Sequence, residues 1–207
     1  MSATDDDSTL SAGRVAPWLE QMVASLRGEG ETDVPCGECV ACCSSRQFVH
    51  VEPDERAALA RIPEEVRFPT PGMPAGHVVL GYDDHGRCPM LGERGCTIYE
   101  HRPRACRVYD CRMFVATGVE PDRDQPAIVR QVRRWRFEPQ TADDTAVLTA
   151  LHAVAAVLDD PAAYPDGRAP SRASQRAAIA VGLHELGRRG APPSPAAVRV
   201  ELTRRSG

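Results

Sequence analysis

Lysine does not occur in this chain of 207 residues: all 25 basic side chains are arginine. Together with abundant alanine, this reads as compositional bias rather than as a function. Aromatic residues are scarce, at 5%, so a core has to be built mostly from Leu, Val, Ile and Ala. Positive charge is not in surplus either. The net charge of -4 disfavours nucleic acid as a partner, because phosphate binding calls for a basic excess. No apolar run is long enough to span a bilayer; the longest, AVLTALHAVAAVL at 146–158, is short and carries His152. The acidic start MSATDDDSTLSAGR lacks the basic residues and apolar stretch of a secretion signal. A cytoplasmic location is expected from it. Also missing are a Walker loop and the G-x-G-x-x-G, G-x-S-x-G and H-E-x-x-H patterns, so hydrolase and nucleotide-binding functions have no motif to rest on.

What is present is cysteine. Eight thiols stand at Cys36, Cys39, Cys42, Cys43, Cys88, Cys96, Cys106 and Cys111, and none lies outside that segment. The first block, CGECVACC, reads C-x2-C-x2-C-C. Two intervening residues let a tight loop aim two sulfurs at one point, a spacing shared by tetrahedral zinc sites and iron–sulfur ligation. Neighbouring side chains such as Cys42 and Cys43 generally diverge, so the second thiol of the pair faces the same centre, a second centre or the core. Three uses of the constellation compete: a cage for a metal or cluster, cytosolic redox thiols, and structural disulfides. A reducing compartment turns the balance towards the first two. Thiolate centres carry net negative charge, and ERGCTIYEHRPRACRVYDCR places arginines beside three of the cysteines. Arg102, Arg104 and Arg107 are the candidates to contact a bound centre. His50, His77, His85 and His101 lie in the same segment as alternative ligands, against an ordinary surface or hydrogen-bonded role.

The pattern along the chain predicts a mainly α protein. Its functional unit is a small, irregular, metal-centred cysteine-rich domain with one or two short strands, followed by a helical C-terminal extension. Residues 1–13 read as a disordered arm, 14–138 as the cysteine-cluster domain with its metal-binding core at 36–114, and 139–207 as the extension. Val15, Leu19, Met22, Val23 and Leu26 recur at helical spacing and stop near Gly28. PDERAALARI reads as a short helix and HVVLGYD as a strand. The segment 126–138 is compatible with a helix or an edge strand. Its RQVRRWRF could clamp a nucleic acid strand around Trp135, or form a solvated face with one buried Trp. TADDTAVLTALHAVAAVLDD predicts a helix with Thr141 as N-cap, and two further helices follow.

CGECVACC, CPML and GCTIYEHRPRACRVY, in that order, resemble the YkgJ-type cysteine cluster proteins, also described as the zinc- or iron-chelating CxxCxxCC domain. The likeness covers residues 36 to about 114. It implies a metal or iron–sulfur centre with Cys36, Cys39, Cys42, Cys43, Cys88, Cys96 and Cys106 as ligands, and Cys111 just beyond the strongest block. The segment also looks like the domain of flagellin lysine N-methylases, thought to use an iron–sulfur centre in methyl transfer. The resemblance leaves open an iron–sulfur oxidoreductase or methyltransferase, a non-catalytic Zn2+ module and a metal-free redox sensor. A protein partner could bind through the C-terminal helices.

Overall fold

The computed structural model describes residues 8–32, 34, 36–188 and 191–206. Strand β1 (Leu10–Gly13) opens the described chain and runs parallel to β7 (Trp135–Phe137), with Leu10 opposite Trp135 and Ser11 opposite Arg136. Residues 10–13 therefore form a strand rather than part of a disordered arm; residues 1–7 of that expected arm lie outside the described residues. Helix α1 (Val15–Leu26) buries Val15, Trp18, Leu19 and Met22, one face at i, i+3, i+4 and i+7. It ends as its sequence predicts. Gly28 takes the left-handed conformation (φ 85°), Gly28 N–H donates to Ser25 O and Glu29 N–H to Ala24 O. These two bonds satisfy carbonyls that the last helical turn leaves open.

Short elements fill the cysteine segment. In chain order they are β2 (Val49–Val51), α2 (Arg56–Leu59), β3 (Arg67–Pro69), β4 (Val78–Leu80), β5 (Leu91–Gly92), β6 (Gly95–Cys96) and α3 (Arg104–Val108). Strands β2, β4 and β3 make one antiparallel sheet in that order, and β5 and β6 a minimal hairpin. Five strands thus stand where one or two were expected. Each is two or three residues long, too short to show the alternation by which a strand is read from sequence. The Arg67 guanidinium donates to the carbonyls of Leu59 and Ile62, tying β3 to the end of α2.

The helical remainder begins with α4 (Arg112–Thr117) and α5 (Pro126–Arg134), which leads straight into β7. Residues 126–138 are therefore a helix and then a strand. Helix α6 (Ala142–Ala155) starts with Thr141 as predicted: Asp144 N–H donates to Thr141 Oγ1 and Thr141 N–H to Asp144 Oδ2, both at 3.1 Å. Helices α7 (Ala173–Gly182), α8 (His184–Gly187) and α9 (Pro195–Ser206) complete the chain.

Three apolar clusters follow from this layout. The first joins Val15, Trp18, Leu19 and Met22 of α1 to Met113 and Phe114 of α4, Ile128 and Val132 of α5, Val147 and Leu151 of α6, and Ala177 and Val181 of α7. The second packs Val154, Leu158, Tyr164, Leu183, Leu186 and Val198 at the far end. The third is small: Val51, Ala58, Ile62, Leu80, Met90 and Ile98, with Cys88 and Cys96 packed against it. Six side chains under such short strands are less than an independent fold usually rests on, so a further source of order is needed there. Among the described residues no helix is long and apolar enough to cross a membrane.

Candidate metal centre

The first cysteine block is a looped segment leading into a 3-10 turn at Cys42–Ser44. Gly37 adopts φ 54°, and Cys39 N–H donates to Cys36 O at 2.9 Å, so the backbone folds back within the first C-x2-C step. Consecutive residues in the tight turn bring Cys42 Sγ and Cys43 Sγ to 4.0 Å. Below them Ser45 Oγ donates to Ala41 O (2.6 Å), and the buried Gln125 side chain donates to Ser45 O (3.1 Å). The second block is fastened to the first by one backbone bond, Cys88 N–H to Cys43 O, at 2.7 Å. Cys96 ends β6, Cys106 lies in α3, and Cys111 immediately precedes α4. All eight are free thiols.

The thiols also shift one another's acidity. Burial pushes Cys36 up to about 11, helped by Cys39, Cys42 and Asp110 and opposed by Arg112. Burial raises Cys39 too, with Cys42 adding to it and the backbone N–H of Ala41 and the charge of Arg134 opposing. Cys111 is raised by burial, Asp110, Cys36 and Cys39 against a hydrogen bond from Trp135. On the other side Cys106 is pushed up to about 12 by burial, then by Cys42, Cys88 and Cys96, with Arg102 opposing. Cys88 is raised by burial, Cys96 and Cys42. The Cys42–Cys43 sulfur contact, in which either sulfur can donate, favours one thiolate over two: it holds Cys42 down to about 7 against its burial and raises Cys43. The electrostatic influence runs mainly among Cys36, Cys39 and Cys111 on one hand and Cys43, Cys88, Cys96 and Cys106 on the other, with Cys42 acting on members of both.

Proximity is not yet a cage. Among the described residues, no three His, Cys, Asp or Glu side chains converge closely enough to grip one ion. Unliganded thiols have no reason to do so, because the ion's charge both removes their protons and draws them together. The donor set nonetheless fits a thiophilic ion or cluster in kind. It offers free sulfurs from three blocks, a buried N–H already directed at one of them, and guanidinium charge acting on several of them.

Of the arginines singled out in the sequence, Arg102 lies over the Tyr99 ring at 4.1 Å and its charge favours ionised Cys42 and Cys106. Arg104 donates from its guanidinium to Ser25 O and from its backbone to Glu55 Oε1. Arg107 pairs with Glu31 at 2.6 Å and donates to Arg102 O at 2.5 Å. Those two bind α3 to the segments on either side of it. His50 and His77 hydrogen-bond to each other at 3.1 Å with stacked rings, while His85 N–H and Arg87 N–H close a turn on Asp83.

Several contacts at the site carry no sequence signal. Trp135, 1% exposed, donates its indole N–H to Cys111 Sγ at 3.2 Å, and is thereby withdrawn from any stacking surface. Trp18 donates to Asp110 Oδ2 at 2.7 Å. Asp110 in turn holds the buried Arg112 guanidinium at 2.8 Å, next in sequence to Cys111. These partners lie 24 and 92 residues apart for the two tryptophans, beyond any local pattern.

Residues 35–131 match the family model of the CxxCxxCC domain, described as a "Putative zinc- or iron-chelating domain". The resemblance carried by CGECVACC and the two later blocks is thereby borne out, and it reaches past α4 into α5. No curated protein and no solved structure matches the chain.

Proposed function

Starting from a segment of the zinc- or iron-chelating family, we propose that residues 36–111 hold an iron–sulfur centre. Its ligands are drawn from Cys36, Cys39, Cys42, Cys43, Cys88, Cys96, Cys106 and Cys111. The observation that carries this reading is the meeting of two cysteine blocks of the matched segment, with Cys42 Sγ and Cys43 Sγ 4.0 Å apart and Cys88 N–H donating to Cys43 O. When bound, such a centre supplies one-electron chemistry, and it offers an open iron if fewer than four thiolates hold it.

The chain's own residues do the rest. Trp135 N–H and the charges of Arg102, Arg112 and Arg134 offset negative charge on the sulfurs, which favours their ionised form. The cysteine segment is the working unit in this reading. The helices from residue 139 onward, which pack on α1, α4 and α5, offer a surface to a protein partner in the cytoplasm.

A Zn2+ module with closed four-thiolate sites is the second reading, supported by the same meeting of cysteine blocks, eight thiols being enough for two such sites. Purification under exclusion of oxygen, followed by iron, zinc and acid-labile sulfide analysis, tests both. Iron with sulfide in comparable amounts is the expected outcome. Zinc without sulfide would establish the second reading, and protein free of either metal would refute both and leave a thiol sensor.

A further inference from the structure

Carboxylates meet many of the arginines of this protein. Arg14 pairs with Asp144, Arg172 with Asp122 and Asp124, Arg188 with Asp143, and Arg204 and Arg205 with Glu201. Helix α5 and the strand after it differ. PAIVRQVRRWRF, residues 126–137, carries Arg130, Arg133, Arg134 and Arg136 and no acid. Among the described residues no carboxylate pairs with Arg130, Arg133 or Arg136. Ile128, Gln131 and Val132 form the buried side of α5, while Arg130 and Arg133 are exposed, so these cations gather on the side turned from the core, one helical turn apart. Arg136 folds back to donate to Arg133 O and Trp135 O, at 2.6 and 2.7 Å. Cations in a last turn suit the helix dipole, which accounts for Arg133 and Arg134. Arg130, a turn earlier, gains no such relief and is repelled by both.

The chain brings a counter-charge to this place. Ser8 is the first described residue, and Arg134 donates from Nε to Ser8 O and from Nη2 to Ser8 Oγ, both at 3.1 Å. Strand β1 runs parallel to β7, which emerges from α5, so Ser8 is delivered to the C-terminal end of that helix. The three residues next upstream are Asp7, Asp6 and Asp5. Three extended residues span about 10 Å, against about 6 Å of helix between Arg130 and Arg134. One exposed ion pair contributes little, but a run of three acids anchored at Ser8 meets the arginines at an effective concentration in the millimolar range. Helix α5 also packs against the turn at Cys42–Ser44, so the arginine face adjoins the cysteine segment.

We propose that Asp5, Asp6 and Asp7 dock on Arg130, Arg133 and Arg134 as an intramolecular cover, which an acidic protein surface has to displace in order to bind beside the cysteine segment. The occupant of the face is thus a part of this chain. The inference stands whichever metal the cysteines hold.

The absence of lysine supplies the probe, because an amine-reactive dye labels the full chain at its N-terminus alone and its fluorescence anisotropy follows the arm. At low ionic strength the anisotropy is expected to be high, and to fall as sodium chloride is raised to 1 M, where the Debye length is about 3 Å. Two variants, Arg130→Gln with Arg133→Gln, and Asp5→Asn with Asp6→Asn and Asp7→Asn, should each give the low value at every salt concentration. Anisotropy indifferent to salt and to both variants would overturn the proposal. Loss in the arm variant alone would place the arm on another basic site, and a rise with protein concentration would place it on a second copy; either result overturns it. A short polyglutamate peptide then probes the uncovered face. If the cover is closed for roughly nine-tenths of the time, the arm variant binds this peptide about 10-fold more tightly than wild type. That gain should vanish when Arg130→Gln and Arg133→Gln are added. A gain that persisted would reflect net charge alone and would sink the idea of a cover.

Discussion

Asp110 carries more of this site than any cysteine does. Its carboxylate is wholly buried, accepts from the Trp18 indole and from Arg112 N–H, and pairs with a guanidinium whose side chain is 8% exposed. A buried pair adds little net stability, but removing one partner strands the other's charge. Asp110→Ala is therefore expected to cost about 3–5 kcal/mol in urea unfolding of the metal-free chain, against about 0–1 kcal/mol for Asp143→Ala in the exposed Asp143–Arg188 pair. Equal costs would show that Arg112 finds another partner or water. None of this was legible in the sequence, where Asp110 is one acid among 29. The cysteines were legible because the geometry they serve is local, set by two-residue spacings. Trp135 was not, because what defines it is an acceptor contributed by a distant part of the chain.

At the level of elements the start of α6 does two tasks. Asp144 closes the capping box with Thr141, and also accepts from Ala16 N–H in the first turn of α1, from Gln140 N–H and from Arg14. Burial works against its charge, yet these donors hold the carboxyl down to about 2, below its ordinary 3.8. Between those two values the unfolded chain binds a proton that the folded chain does not. The stabilisation is thus complete above about pH 4 and is lost as the pH falls towards 2. Urea midpoints measured across this range should fall steeply for wild-type protein. Asp144→Asn should be less stable near neutrality and show a shallower acid limb; parallel curves would mean that the carboxylate is not the titrating group. Thr141 was readable as a cap from sequence, since an N-cap followed three residues later by an acid is a local signature. The contact to Ala16, 128 residues away, was not. The strands β2 to β6 escaped for the opposite reason, being too brief to display any period at all.

Across the whole molecule the sequence reads as a cysteine-cluster domain to residue 138 and a helical extension after it. The packing crosses it. Met113, Phe114 and Ile128, all within the matched segment, are covered by Trp18 and Leu19 from before it and by Val147, Leu151, Ala177 and Val181 from after it. A chain ending at residue 138 would present those side chains to water, at about 1.5–3 kcal/mol for each large one fully uncovered. It is expected to lose its cooperative thermal transition, as followed by far-ultraviolet circular dichroism. A sharp transition near that of the full chain would show that the first 138 residues fold alone. Which faces meet is information held by pairs of residues far apart, and no window along the chain contains it.

Strand β1 touches the same machinery from the opposite end. Leu10 lies beside Trp135, and Ala12 O accepts from Arg112. An affinity tag fused close to Leu10 would therefore pull on the scaffold behind Cys111, whereas one placed after α9 would follow a helix that packs through Val198 on the second apolar cluster. Recombinant preparations tagged at the two termini should then differ in how much metal they carry, before any residue of the site has been changed.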